Sequence, residues 1–292
     1  MAYRLLFIVD MARTDAKRPF ELCAFPLTNR PRTPANLRLG ILRGHCYALE
    51  GLIGAGKTSL LELLEAYLTA HGIPCLVFRE EVPDELLKPF QLRHEELKLL
   101  NRARDSDDAD VYNEHTFVLQ REMLRRRIDI YKRACEAAEK TGAVVFLDRS
   151  IWGDMMFAAM HRDKGRMSAA EADQYAAALE TFRTSGENLD LTAILYLQCT
   201  PQQALERVRL RTRLAGGGSE SEYDLPYMIA LEAMHEKILG AHEAADYVRT
   251  PVLRLDGRDR NLADRAETDV WVGEIMLALA SGLWIRANND CK

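Results

Sequence analysis

A glycine-rich segment at residues 51–58 carries the first chemical signal, because it fits the pattern G-x-x-x-x-G-K-[ST]. A strand-like apolar run precedes it and a helical pattern follows it, which is the context that this phosphate-binding motif needs. We expect its backbone N–H groups and the helix N-terminus to surround phosphate oxygens. Lys57 would reach the β- and γ-phosphates, and the Thr58 hydroxyl would bind Mg²⁺. The alternative is a glycine-rich turn without a ligand, which the flanking elements disfavour.

Charged residues follow the second and third predicted strands. Glu80 and Glu81 come after residues 74–78, and Asp148 and Arg149 come after residues 143–147. Ligands of open α/β sheets bind at the carboxyl ends of the strands, so Asp148 and Arg149 are candidates for a site beside the phosphate loop. For these two residues alone, the alternative is a strand-end salt bridge on a surface loop.

Short strands separated by long helices must position these residues. The apolar runs of strand length are residues 46–49, 74–78, 143–147, 192–197 and 252–255. The helical patterns are residues 58–70, 85–104, 113–140, 169–184, 202–213, 225–242 and 262–283. Buried strands that alternate with helices predict an α/β fold, with a parallel sheet covered by helices on both faces.

Composition limits the class of protein. The chain has 292 residues, 48% of them hydrophobic, and a net charge of −5. This balance predicts a folded α/β protein that binds a small molecule rather than nucleic acid or a membrane. The six cysteines are scattered without a C-x-x-C pair, which favours a reducing, cytoplasmic location. Residues 1–44 are rich in arginine and proline and are expected to form a poorly ordered extension; a mitochondrial presequence is the alternative.

The motifs favour a kinase that acts on a small molecule. The chain has neither an N-K-x-D guanine motif nor the hydrolytic acidic pair of motor ATPases. The phosphate loop, the Phe-Arg-Glu-Glu-Val segment at residues 78–82, the Asp-Arg-Ser segment at 148–150 and the R-x-x-x-R-x-R pattern at 207–213 together resemble the deoxyribonucleoside kinase family. The resemblance covers residues 46–257. It implies a three-layer P-loop fold whose five-stranded parallel sheet has the order 2-3-1-4-5.

The resemblance also implies roles at the phosphate end of the site. Glu80 would take the proton of the sugar 5′-hydroxyl, with Glu81 as its rival. Arg149 would contact the transferring phosphoryl group, and Asp148 would bind Mg²⁺ with Thr58. The residues expected to bind ATP are Gly51, Leu52, Ile53, Gly54, Ala55, Gly56, Lys57, Thr58, Ser59 and the lid arginines Arg207, Arg211 and Arg213. Their spacing suggests that all three arginines point to one side.

For the nucleoside, the resemblance implies that Gln120 reads a base edge together with Arg127 and Asp154. Relatives with Arg and Asp at these offsets accept deoxycytidine or purine deoxynucleosides, whereas thymidine-preferring relatives carry smaller or apolar groups. The alternative is that Arg127 belongs to a charged helix face and Asp154 to a helix start. Glu220, with Glu222 as its rival, would bind the sugar 3′-hydroxyl. The two residues assigned an assisting role are Tyr112, beside the sugar, and Phe157, beside the base.

We therefore expect a deoxynucleoside kinase that uses ATP and Mg²⁺. Residues 45–292 would form one kinase domain with a lid at about 207–223, and a homodimer is implied by the resemblance alone. Two alternatives remain: a nucleoside monophosphate kinase of the thymidylate kinase type, whose acceptor already carries a phosphate, and a nucleotide-binding regulatory module without catalysis.

Overall fold

The computed structural model describes residues 42–103, 112–185, 191–214, 223–240, 250–258, 260 and 265–281. The strands in these segments are β1 (Cys46–Glu50), β2 (Cys75–Phe78), β3 (Val144–Asp148), β4 (Ala193–Gln198) and β5 (Val252–Asp256). The helices are α1 (Lys57–Ala70), α2 (Asp84–Ala103), α3 (Glu114–Thr141), α4 (Ile151–Asp163), α5 (Ala169–Thr184), α6 (Pro201–Leu214), α7 (Leu225–His235) and α8 (Arg265–Ser281). A single π-helical turn, Glu236–Gly240, continues α7. In the described segments, no helix is both long and apolar enough to cross a bilayer.

The sheet has the order β2-β3-β1-β4-β5, and every neighbouring pair is parallel, which confirms the predicted order. The central strand β1 pairs Leu49 with Asp148 of β3 and Glu50 with Tyr196 of β4. Because β1 lies between β3 and β4, the chain reverses direction across the sheet at this point. The carboxyl ends of these strands therefore border the crevice in which ligands of such sheets bind.

Helices cover both faces of the sheet, which confirms the predicted layers. Along β1, Tyr47 and Leu49 pack into the core that includes α1 and α8, whereas Cys46 and Ala48 pack against α3 and α4. Successive side chains of a strand point to opposite faces, so a strand buried on both sides reads as a continuous apolar run. Glu50 is the exception, since a carboxylate follows four apolar residues at the buried end of β1.

Helix α4 was not among the predicted helical patterns. Its side chains are buried around much of its circumference, including Ile151, Met156 and Met160, so it lacks the polar face that gives an amphipathic period. The Ser150 hydroxyl caps its first turn by accepting a hydrogen bond from the Gly153 N–H at 3.2 Å. This cap places α4 directly after the strand end that carries Asp148 and Arg149.

Candidate active site

The phosphate loop is shaped by close contacts with β4 and α6. Gly51 and Gly54 have φ angles of 147° and 81°. A Cβ atom on Gly51 would lie 2.4 Å from the Leu197 carbonyl oxygen, and one on Gly54 would lie 2.3 Å from the Ala204 carbonyl oxygen. Glycine is therefore required at both positions, for space and for backbone conformation.

Lys57 lies buried inside this loop. Its Nζ atom donates hydrogen bonds to the carbonyl oxygens of Gly51 at 3.1 Å and Leu52 at 2.8 Å. Burial and the nearby Arg149 lower the pKa of Lys57 to about 8, although Asp148 opposes the shift. The ammonium group is thus held in the loop, where incoming phosphate oxygens would provide it with stronger partners.

Asp148 and Thr58 offer the oxygen atoms of a cation site. The Thr58 hydroxyl donates to Asp148 Oδ2 at 3.4 Å, and Asp148 Oδ1 is buried without a hydrogen-bond partner among the described residues. Burial raises the pKa of Asp148, and the positive charges of Lys57 and Arg149 oppose that rise. A hydroxyl and a carboxylate beside a phosphate loop are ligands that suit Mg²⁺, so these residues fit the ion.

Arg149 connects the elements around the site. It follows β3 with a φ of 71°, in the left-handed region that residues other than glycine rarely adopt. Its guanidinium donates to the Gly51 carbonyl oxygen at 3.1 Å, lies 3.0 Å from Glu80 Oε2, and sits 4.9 Å above the ring of Phe157. Such backbone strain persists only where surrounding contacts hold it, and it is common at active sites.

Glu50 provides one of those contacts, and it was not predicted as a site residue. Its carboxylate is fully buried and accepts hydrogen bonds from the Ser150 N–H and, at 2.7 Å, from the Ser150 hydroxyl. It also lies 3.4 Å from Arg149 Nη1. The signal in the sequence is a charged residue that ends an otherwise apolar strand, a position where only a fully paired charge is tolerated.

Glu80 lies between two arginines. One of its carboxylate oxygens contacts Arg127 and the other contacts Arg149. Burial alone raises the pKa of Glu80, but these two guanidinium groups outweigh burial and the net pKa is lowered. Glu80 is therefore an ionised carboxylate at neutral pH. Its sequence neighbour Glu81 is exposed to solvent and does not line the large cavity beside the phosphate loop.

The three residues predicted to read the base come together from α3 and α4. Gln120 and Arg127 project from α3, and Arg127 Nε lies 3.8 Å from Asp154 Oδ1. Gln120 is 4% exposed, and its Oε1 atom has no hydrogen-bond partner among the described residues.

Tyr175, from α5, was not predicted as a site residue, and its hydroxyl donates a hydrogen bond to Asp154 Oδ2 at 2.7 Å. Burial raises the pKa of Asp154, the charge of Arg127 and the hydrogen bond from Tyr175 offset part of that rise, and the resulting pKa is about 6.

One cavity of about 740 Å³ joins these groups, within the range of about 300–1,000 Å³ usual for small-molecule sites. It is lined by the phosphate loop, through Ile53, Gly54, Gly56, Lys57, Thr58 and Ser59. It is also lined by Glu80, Asp148 and Arg149, and by Gln120, Arg127, Asp154 and Phe157, and the contacts of Glu80 with both Arg149 and Arg127 connect these two groups. The cavity also contacts Phe90, His161 and Tyr227, which were not predicted as site residues.

The structure does not bring Arg213 or Tyr112 to this cavity. Arg207 and Arg211 line it, and Arg207 Nη1 donates to the Ala55 carbonyl oxygen at 2.9 Å. Because α6 continues to Leu214, Arg213 lies about 200° around the helix from Arg211. Its Nε atom bonds the Arg209 carbonyl oxygen instead, so the three arginines do not point to one side.

Tyr112 is 45% exposed, and its hydroxyl donates to Glu171 Oε1 at 3.0 Å, away from the cavity. Glu171 belongs to the first turn of α5, where its side chain also completes a capping box with Ser168. The assisting role predicted for Tyr112 therefore lacks the required position. Glu220 and Glu222, the rivals for the sugar 3′-hydroxyl, lie outside the described residues.

Comparisons with known proteins agree with this geometry. Residues 47–272 match the sequence model of the family described as deoxynucleoside kinase. The chain is 26% identical to deoxycytidine kinase 2 of Gallus gallus over 260 residues, covering 80% of this chain and 90% of the relative. It is 28% identical to deoxyadenosine kinase of Dictyostelium discoideum over 224 residues, covering 76% of each.

A solved structure of deoxyadenosine kinase from M. mycoides with bound dCTP shares the fold. Its TM-score is 0.54 at 16% identity, and the match covers 79% of this chain and 98% of that one. The relatives are kinases of nucleosides, and the monophosphate kinase alternative is not favoured. The family match spans more than half of the sequence, and the chain therefore belongs to the deoxynucleoside kinase family.

Proposed function

We propose that the chain transfers the γ-phosphate of ATP to the 5′-hydroxyl of a deoxynucleoside, with purine deoxynucleosides or deoxycytidine preferred over thymidine. The observation that carries the proposal is that one cavity is lined by the phosphate loop, by Glu80 and Arg149, and by the buried pair of Arg127 and Asp154. The named activities of the relatives from Gallus gallus and Dictyostelium discoideum support this substrate class.

Glu80 and Arg149 define the place of the reacting hydroxyl. The 5′-hydroxyl would lie against the Glu80 carboxylate, which takes its proton as the oxygen attacks the γ-phosphorus and the bond from that phosphorus to ADP breaks. Arg149 and Lys57 stabilise the negative charge on the transferring phosphoryl group. Thr58 and Asp148 would hold Mg²⁺, which when bound neutralises charge on the phosphate oxygens. The strained backbone of Arg149 and its contact with Glu50 keep the guanidinium in position before any ligand binds.

Arg127 connects recognition of the nucleobase to Glu80, the residue that accepts the proton. In the structure it contacts both Glu80 and Asp154, so its positive charge is shared between them. A base edge that accepts hydrogen bonds from Arg127 weakens the contact with Glu80. Because that contact lowers the pKa of Glu80, its loss makes Glu80 a better proton acceptor when a suitable substrate is bound.

The same pair supports selection against thymidine. Asp154 is a hydrogen-bond acceptor held in place by Tyr175, and Arg127 is a donor. Cytosine and adenine each present an exocyclic amino donor beside a ring acceptor, which complements an aspartate next to an arginine. Thymine has no exocyclic amino group, so its carbonyl oxygen would face the Asp154 carboxylate, whereas guanine, which also has a carbonyl oxygen, keeps an amino donor.

A matched pair of variants tests the proposal. The four deoxynucleosides and their monophosphates are each supplied with labelled ATP and Mg²⁺, and the products are separated. In Glu80→Gln we expect turnover to fall by about 10²–10⁴-fold while ATP binding persists. Glu81→Gln removes the neighbouring, exposed carboxylate and should keep near wild-type turnover. Equal turnover in both variants would remove Glu80 from the catalytic role, and phosphorylation of monophosphates alone would reject the proposed acceptor.

Two further parts of the proposal rest on the sequence. A homodimer is expected from the resemblance to the family, and light scattering of the full chain measures its mass in solution. A cytoplasmic location is expected from the scattered cysteines. Imaging of a fluorescent fusion, with and without residues 1–44, distinguishes it from import into mitochondria.

A further inference from the structure

Asn113 is a buried asparagine directly before α3, and it connects three of the helices that line the cavity. It is 1% exposed, has an extended backbone conformation and does not itself line the cavity. We propose that Asn113 is a positioning residue for the nucleoside, because its side chain holds α2 against α3 where both helices line the cavity. This inference rests on the proposed function, since it assumes that a deoxynucleoside occupies the cavity.

The side-chain amide of Asn113 uses both of its ends. Its Oδ1 atom accepts a hydrogen bond from the His115 N–H at 3.0 Å, which caps α3, and its Nδ2 atom donates to the carbonyl oxygen of Phe90 in α2 at 3.0 Å. The reverse orientation of the amide would place two donors together and two acceptors together, so these partners fix its orientation. One side chain therefore both caps α3 and attaches α2 to it.

The backbone of Asn113 extends these contacts to α4. Its N–H donates to the Arg166 carbonyl oxygen at 3.2 Å, and the Arg166 N–H donates to the carbonyl oxygen of His161, near the end of α4, at 2.9 Å. Helices α2, α3 and α4 each contribute side chains to the cavity. Asn113 thus lies where three elements of the cavity are hydrogen-bonded together.

The carbonyl group that accepts from Asn113 belongs to a cavity residue. Phe90 is buried, lines the cavity and packs against Leu119 and Met123 of α3, which also line it. Gln120, which is proposed to read the base, follows Leu119 on the same helix and lines the same cavity. A displacement of Phe90 from α3 would therefore change the shape of the cavity beside Gln120.

The hydrogen bond from Asn113 meets α2 at a weakened point. Pro89 lies inside this helix, one residue before Phe90, and has no N–H to donate to the Glu85 carbonyl oxygen. A helix that lacks one of its internal hydrogen bonds bends more readily at that point. The Asn113 amide supplies a bond from outside the helix at the next residue, and this bond opposes bending.

Loss of the amide donor should affect nucleoside binding more than chemistry. If α2 leaves α3 for part of the time, only the molecules with α2 in place bind the nucleoside well, and KM rises by the inverse of their fraction. The groups proposed to bind ATP belong to the phosphate loop and to α6, and Glu80 is held by Arg127 and Arg149. Turnover and the KM for ATP should therefore stay near the wild-type values.

Asn113→Ser and Asn113→Asp test the donor separately from the cap. Serine and aspartate both cap helices well, but the serine hydroxyl ends closer to the backbone and the carboxylate of aspartate donates no hydrogen bond. In both variants we expect KM for the deoxynucleoside to rise about fivefold or more, while kcat and the KM for ATP stay within about twofold of wild type. Amide hydrogen exchange in residues 88–95 should become faster, and added nucleoside should slow it.

Phe90→Leu completes a double-mutant cycle with Asn113→Ser. If Asn113 acts by placing the Phe90 ring, Asn113→Ser should raise KM for the nucleoside less in the Phe90→Leu protein than in the wild type. Two independent sites would instead show the same factor in both backgrounds.

Thr192→Val is the matched control. The Thr192 hydroxyl accepts a hydrogen bond from the Cys46 N–H at 3.2 Å, so it also joins two elements through a side chain and a backbone group. This bond lies at the amino ends of β1 and β4, at the edge of the sheet opposite the strand ends that border the cavity. Its loss should lower thermal stability and leave both KM values unchanged.

The assignment is rejected by an unchanged KM for the nucleoside, by KM values for nucleoside and ATP that rise together, or by a rise that Phe90→Leu does not diminish. Failure of both Asn113 variants to fold would give the residue a structural role instead. These outcomes differ from failure of the proposed function, in which the wild-type chain phosphorylates no deoxynucleoside.

Discussion

Gly153 occupies the first turn of α4, directly against the buried Glu50 carboxylate. A Cβ atom built on Gly153 would lie 2.3 Å from Glu50 Oε1 and 2.7 Å from Oε2. The carboxylate cannot move away without loss, because it accepts two hydrogen bonds from Ser150 and contacts Arg149. We therefore predict that Gly153→Ala damages both folding stability and phosphoryl transfer.

The size of each effect follows from these contacts. Overpacking a well-packed interior costs about 1–3 kcal/mol, whereas alanine in place of glycine within a helix contributes up to about 1 kcal/mol of stability. The expected net loss of about 1–2 kcal/mol lowers the melting temperature by about 2–8 °C for a domain of this size. Displacement of Glu50 also releases Arg149, and a shift of about 1 Å in a positioned group can reduce kcat as much as 10²-fold.

Gly273→Ala is the matched control. Gly273 also lies within a helix, α8, and the nearest atom to its built Cβ is the Tyr67 hydroxyl oxygen at 3.8 Å, an ordinary contact distance. This variant should gain up to about 1 kcal/mol and keep wild-type activity. Thermal unfolding and steady-state kinetics of both variants provide the comparison. If Gly153→Ala matched Gly273→Ala in stability and in kcat, Glu50 would not hold Arg149 in the way described.

Three further predictions concern the base-reading wall, by which we mean the part of the cavity formed by Gln120, Arg127 and Asp154 and proposed above to bind the base. Tyr175→Phe removes the hydrogen bond to Asp154, so the KM of the nucleoside should rise about tenfold while kcat stays within about twofold of wild type. Because the pKa of Asp154 is raised to about 6, its carboxyl gains a proton as pH falls through 6. For a nucleoside with an amino-bearing base, kcat/KM should therefore decrease below pH 6, and Asp154→Asn should lack this acidic limb. Combining Arg127→Met with Asp154→Ala should raise the kcat/KM ratio of thymidine to deoxycytidine by about tenfold or more, and an unchanged substrate ranking would exclude the pair from base reading.

The strands were predictable because each is short, apolar and bounded by polar residues. Each predicted run overlaps a strand of the sheet, and the ends differ by one residue in most cases. The phosphate loop was equally predictable, since its glycines are needed for space and conformation rather than for general packing. Asp148 and Arg149 followed from these elements, because residues at the carboxyl ends of parallel strands meet at one edge of the sheet. The role predicted for Glu80 came from the resemblance to the family.

Other parts of the site depend on tertiary structure that local patterns do not carry. Helix α4 is buried on several sides, so its sequence has no amphipathic period. Because the helix was not predicted, it could not be predicted that Asp154 and His161 lie on the same helical face. The direction of Arg213, by contrast, could have been predicted, because the predicted helix at residues 202–213 already includes it and two residues of helix turn its side chain about 200° away from Arg211. Tyr112 turns to Glu171 of α5, a residue 59 positions away in the chain.

The residues proposed for phosphoryl transfer and those proposed for nucleoside preference belong to different elements of the fold. Glu50 and Asp148 belong to β1 and β3, and the register of the sheet fixes them relative to each other and to the phosphate loop. The base-reading wall instead comes from helices, with Arg127 on α3, Asp154 on α4 and its hydrogen-bond donor Tyr175 on α5. Substitutions at Asp154 and Tyr175 can reshape the wall without moving the strand ends, whereas Arg127 also contacts Glu80. Changes of nucleoside preference should therefore arise on α3, α4 and α5, whereas changes at the strand ends should reduce phosphoryl transfer to every acceptor alike.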